Sequence, residues 1–134
     1  MIKEIYGKRD LTYNDWHRTL PRFCDAIDID MLEVCNNPRC RLPLAITELA
    51  QDVGQNNKNY FIIKRIADLL NIPAYVVLYK TSDSSDGVKY ISGFRIKRVD
   101  GKIPEQTFTN YTVLAWNLIL QDIHSNCKHP NPMY

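Results

Sequence analysis

Three acidic residues are best placed in this chain to do chemistry: Asp28 and Asp30 in AIDIDMLEV, and Glu48 in PLAITELAQ. Two strand-like runs, Ile27 to Cys35 and Pro43 to Ala50, flank a polar turn of Asn36, Asn37, Pro38 and Arg39, which reads as a β-hairpin. If its arms pair symmetrically about Arg39, partners carry numbers summing to about 78, so Asp30 faces Glu48 and Asp28 faces Ala50. A bulge would shift that register. Alternation then puts Asp28, Asp30, Leu32 and Val34 on one face with Leu44, Ile46, Glu48 and Ala50. Opposed strand residues have Cβ atoms about 4.5–5.5 Å apart, and like charges at that separation destabilise a sheet. A divalent cation would offset the repulsion. Mg²⁺ or Mn²⁺ takes one or two carboxylates, keeps its waters and leaves positions open for phosphate oxygens. The competing reading leaves these acids at solvated strand ends, or paired with Arg41 or another base.

The elements that would hold this hairpin follow from periodicity and stop signals. Thr12 to Leu20 reads as a first helix, with Thr12 or Asn14 as its cap and Pro21 as its stop. Asn56 to Leu70 carries Ile62, Ile63, Ile66, Leu69 and Leu70 at helical spacing and ends at Asn71 and Pro73. Ala74 to Tyr79 is a buried strand. From Val88 to Val99 the residues alternate, with Tyr90, Phe94 and Ile96 on one face and Lys89, Arg95 and Lys97 on the other, and Gly93 marks a break. Thr81 to Gly87 is a loop, Asp100-Gly101 a turn, and Thr112 to His124 a closing helix followed by a loose tail from about residue 125. The expectation is a single α/β domain over residues 1–134, a mixed central sheet flanked by helices.

These segments together carry a resemblance. Asp15-Trp16-His17-Arg18, then Asp28-Ile29-Asp30, then Leu44-Ala45-Ile46-Thr47-Glu48-Leu49-Ala50, then a helix and Ala74-Tyr75-Val76-Val77-Leu78-Tyr79, resemble the restriction-endonuclease-like core of the PD-(D/E)XK nuclease superfamily over residues 12–80. The resemblance implies Asp30 and Glu48 as catalytic metal ligands, the backbone carbonyl of Leu49 as a further ligand, Asp28 as an accessory acid, and His17 as a helix-borne ligand. It implies Mg²⁺ or Mn²⁺ as cofactor and nucleic acid, DNA before RNA, as substrate. A homodimer would place two such sites on two strands. The family's lysine falls at position 50, where this chain has Ala50. Three accounts of that departure are open: a chain carrying a lysine-to-alanine change, a lysine that has migrated to Lys58 or Lys64, or an inactive nuclease fold kept for binding as an inhibitor or adaptor.

Arg39 and Arg41 at the turn, Lys58, Lys64 and Arg65 along the second helix, and Arg95 and Lys97 on the later strand are the basic residues that could border the carboxylate face and neutralise phosphates. Solvated helix faces and edge strands carry the same residues for other reasons. Cys35-x4-Cys40 and His124-x2-Cys127-x-His129 hold enough donors for a tetrahedral zinc, but only if the tail folds back onto the hairpin turn. Packed thiols are the better account of Cys24 and Cys35.

With 17 Lys+Arg against 15 Asp+Glu in 134 residues, the net charge of +2 excludes binding of polyanions by bulk charge. Apolar runs of about five or six residues fall short of the roughly 18 that span a bilayer, and MIKEIYGKRD has no apolar h-region. The expectation is a soluble, cytoplasmic protein with no membrane partner; a compact phage or mobile-element origin is what the nuclease resemblance alone implies.

Overall fold

The structure, a computed structural model, describes residues 10–128. The elements in order are α1 (Thr12–His17), β1 (Met31–Val34), β2 (Pro43–Gln51), α2 (Phe61–Leu70), β3 (Ala74–Asp83), β4 (Lys89–Arg98), β5 (Thr109–Tyr111) and α3 (Val113–Ser125). The five strands form one mixed sheet in the order β1-β2-β3-β4-β5. Its β2–β3 pair is parallel, with α2 as the crossover, and every other pair is antiparallel. The coarse expectation of a mixed sheet flanked by helices therefore holds.

The β1–β2 hairpin pairs Met31 with Thr47, Leu32 with Ile46 and Glu33 with Ala45, the register expected from a turn centred on Arg39, before shifting by a bulge at Val34. The first arm is shorter than expected. Residues 27–30 pair with no strand, so Asp28 is not opposite Ala50. α2 starts at Phe61 rather than Asn56, where the Asn59 side chain accepts the Phe61 N–H at 3.0 Å. It ends where the sequence says, on left-handed Asn71 with φ 56°. α3 begins with a side-chain cap, Thr112 Oγ1 accepting the Ala115 N–H at 3.0 Å. The short β5 went unread, because three residues, TNY, carry no period.

Alternation divides the core in two. Ala45, Tyr75, Val77, Phe94 and Ile96 face α3 and pack on Trp116, whose ring meets Tyr75 edge-on at 5.1 Å. Ile46, Ala74, Val76 and Val99 face α2 and pack on Ile63 and Ala67. The α2 stripe is thus narrower than its periodicity suggests, since Leu69 is 81% exposed and Leu70 50%. The basic face of β4 is exposed at Lys89 but covered at Arg95 and Lys97. Lys97 is only 4% exposed and holds its ammonium against the rings of Tyr60 and Phe108 at 5.2 and 4.8 Å. Arg95 binds Asp52 through two 2.8 Å hydrogen bonds and also donates to the Gln55 carbonyl. Neither residue presents its charge to a polyanion. Among the described residues no helix is long and apolar enough to cross a membrane.

Candidate functional site

Glu48 lies on β2 between buried Thr47 and half-buried Leu49, and alternation turns it with Ile46 toward the α2 face. Asp30 immediately precedes β1, one step beyond the Met31–Thr47 pair, which sets it beside Glu48. Its Oδ2 accepts the Leu49 N–H at 2.9 Å, so the side chain lies across the strand end that β1 leaves unpaired. An extended residue presents its N–H and C=O to the same edge. The Leu49 carbonyl therefore faces the edge that Asp30 covers.

Three residues before α2, Lys58 reaches back to β2 and places Nζ 3.3 Å from Glu48 Oε1. Burial raises the Glu48 carboxyl above its ordinary value; Lys58 pulls it down, and the neighbouring Asp30 charge adds to the rise. The two carboxylates are close enough to feel each other, as the hairpin register requires. Glu48 and Lys58 front a cleft of about 220 Å³ lined also by Ile27, Asp28, Asn59 and Tyr60. Asp28 and Ile27 are shared with a second cleft of about 330 Å³, whose other walls include Tyr13, Asn14, His17 and Arg18 of α1 and its C-terminal end. His17 thus lines the second cleft with Asp28 and is not among the walls of the one that Glu48 lines.

The remaining residues singled out in the sequence lie elsewhere. Arg39 and Arg41 sit at the hairpin turn, about 20 Å along β2 from Glu48 at roughly 3.3 Å per residue. There Arg41 takes a left-handed φ of 53° and donates to the Cys35 carbonyl at 3.3 Å. They do not border the carboxylates. Lys64 is tied to Asp68 at 2.8 Å and to the Gly101 carbonyl, which anchors the turn after β4. Arg65 lies on α2 with its guanidinium 5.9 Å from the Phe61 ring. Of the basic set, Lys58 is the residue that meets the acids. Ala50 lies on the same face two residues after Glu48, opposite Leu78 of β3.

A different cluster of donors closes up at the far end of the hairpin. Cys35, Cys40 and Cys127 bring their Sγ atoms within 4.8 Å of one another, the only such group of three or more potential ligands among the described residues. Burial and then the two neighbouring thiols push the Cys127 thiol up to about 12. α3 runs to Ser125 and Cys127 lies against Cys40 at 3.6 Å, where a loose tail was expected. His124 is held by Glu33 at 2.8 Å, and His129 is outside the described residues. The C-x4-C spacing was a visible signal. The return of residue 127 onto the turn was not, because it depends on where α3 lies.

The chain matches no protein-family model, and neither curated proteins nor solved structures give a significant match.

Proposed function

We propose that the protein is a metal-dependent nuclease with a restriction-endonuclease-like core, in which Lys58 takes the part of the lysine missing at position 50. The observation that carries this reading is the convergence of Asp30 and Lys58 on Glu48, whose carboxylate lines a cleft together with Lys58 and Asp28. The donor set suits a hard divalent ion: two carboxylates, each with an oxygen beyond those engaged by Leu49 and Lys58, and a strand-edge carbonyl. When bound there, Mg²⁺ or Mn²⁺ supplies Lewis-acid charge to a phosphodiester. Asp30 and Glu48 hold the ion at the strand end, and burial of Glu48 strengthens their attraction for it.

Lys58 supplies a cation within reach of the same phosphate. Its ammonium orients the attacking water by hydrogen bonding and offsets negative charge growing on the non-bridging oxygens. Asp28, on the wall of the cleft, is positioned to accept a proton from that water. Hydrolysis forms a bond from water oxygen to phosphorus and breaks the bond to the leaving sugar oxygen, which takes up a proton. DNA is the favoured substrate.

The test is cleavage of supercoiled plasmid, single-stranded DNA and single-stranded RNA with Mn²⁺, using the unaltered chain and Asp30→Asn. Cutting that falls by about 10²-fold or more in the variant supports the reading. Ala50 favours a second one, a catalytically inactive relative used as an inhibitor or adaptor. No cutting, together with no Mn²⁺ uptake by calorimetry, would select it.

A further inference from the structure

We propose that Cys35, Cys40 and Cys127 are ligands of a structural zinc ion that clamps the β1–β2 turn to the C-terminal end of α3. Tetrahedral zinc with Zn–S bonds of about 2.3 Å requires its sulfurs to stand about 3.8 Å apart. The Cys40 and Cys127 sulfurs stand 3.6 Å apart, and all three lie within 4.8 Å of one another. A disulfide would bring two of them to about 2.05 Å. The spacing therefore suits sulfurs sharing one ion better than sulfurs sharing a bond.

The chain converges on this point from two directions. Cys35 ends the first arm of the hairpin, buried, with its N–H donated to the Leu42 carbonyl at 2.9 Å. Five residues on, the Cys40 N–H closes a turn on the Asn37 carbonyl at 3.0 Å, and left-handed Arg41 then returns the chain to β2. This folds the C-x4-C segment so that both thiols face inward. Cys127 arrives 87 residues after Cys40, just beyond α3. One helical turn earlier, His124 Nε2 bonds Glu33 Oε1 at 2.8 Å and pins the same two elements.

Cys35 is buried, yet neither core cluster includes any of these cysteines, so the three sulfurs gather apart from the two apolar cores. An all-sulfur set of three selects soft or borderline ions, zinc foremost, over the Mg²⁺ and Mn²⁺ that carboxylates prefer. Three thiolates around Zn²⁺ leave one negative charge, and the Arg41 guanidinium, bonded to the Cys35 carbonyl at 3.3 Å, stands beside it. The site is separate from the carboxylates, and its standing does not depend on the nuclease reading.

The experiment is metal analysis of the full chain purified without chelator and dialysed against metal-free buffer. About one zinc per chain is expected. Cobalt exchange is expected to give the thiolate-to-metal charge-transfer band and intense d–d bands of tetrahedral coordination. Cys40→Ser should lose the metal and the cobalt spectrum. Because that variant can also fail to fold, the unaltered chain is melted with chelator and again after zinc is restored; the melting temperature should fall and then recover. Protein refolded with zinc that retains none, or a melting temperature indifferent to chelator, would overturn the proposal. So would a non-reduced mass lighter by two hydrogens, the mark of a disulfide.

Discussion

The Lys58 ammonium lies 3.3 Å from the Glu48 carboxylate and joins the segment before α2 to β2, the second strand of the sheet. Both side chains are partly screened from solvent, 33% and 20% exposed. Lys58→Met keeps the stem and removes the charge. With Lys58 gone, burial and Asp30 both act to raise Glu48, so its carboxyl should titrate higher, as followed by NMR. Cleavage should fall by about 10²-fold. A variant that cuts like the unaltered chain would remove Lys58 from the reaction.

Asp30→Asn keeps an oxygen to accept the Leu49 N–H while deleting one of two neighbouring negative charges. Without added metal, the variant should melt no lower than the unaltered chain, because like-charge repulsion is relieved. With Mn²⁺, the unaltered chain should gain melting temperature and the variant should not. Equal gains in both would show that the ion binds elsewhere.

Ala50→Lys placed in the Lys58→Met background is a rescue experiment. Position 50 shares the α2 face with Glu48 and lies beside Leu78 on the neighbouring strand, so a long side chain there can extend past the strand end toward the carboxylates. Partial recovery of cleavage is expected, read in the same plasmid assay. No recovery in a variant that still binds Mn²⁺ would count against equivalence of the two lysine positions.

Asp52 has a side chain only 7% exposed and accepts two hydrogen bonds from Arg95 at 2.8 Å and one from the Gly54 N–H at 2.9 Å. Arg95 first, then Gly54, hold its carboxyl far below the usual range. A lowered folded value means the unfolded chain takes up the proton first as pH falls. The stabilisation is complete above the unfolded value near 4 and is lost progressively below it. Asp52→Asn should cost about 1.5–3 kcal/mol at neutral pH. The gap between variant and unaltered chain should narrow in urea titrations carried from pH 6 toward pH 2. A gap constant with pH would contradict this assignment.

Trp116 is 6% exposed and packs edge-on against Tyr75 and beside Phe94. Trp116→Ala should destabilise the fold by about 3–5 kcal/mol in equilibrium denaturation. A loss below about 1 kcal/mol would mean that α3 contributes little to the sheet's second face.

What could be read from the sequence was local. The hairpin register followed from a turn rich in Asn and Pro and from alternation on either side, and that register sets Asp30 beside Glu48. The C-terminal end of α2 followed from Asn71, whose backbone preference acts within a few positions, and α3 starts one residue after the Thr112 expected to open it. What escaped depends on distant segments. Lys97 read as solvated because alternation cannot reveal that Phe108 and Tyr60 close over it. Arg95 read as a phosphate contact because its partner, Asp52, lies 43 residues earlier. Lys58 stood among several basic residues until the non-helical approach to α2 carried it to Glu48.

The parallel contact between β2 and β3 has a consequence for the order of assembly. β3 and β4 are joined by a short turn at Ser84–Gly87 and can zip locally, whereas Ile46 meets Ala74 only after the intervening chain has been gathered into α2. Amide protection in a pulse-labelling refolding experiment should therefore come first in the 74–98 hairpin and later along 43–51. The acidic pocket belongs to the late-protected part, so the chain should acquire its ability to hold Mn²⁺ only at the end of refolding.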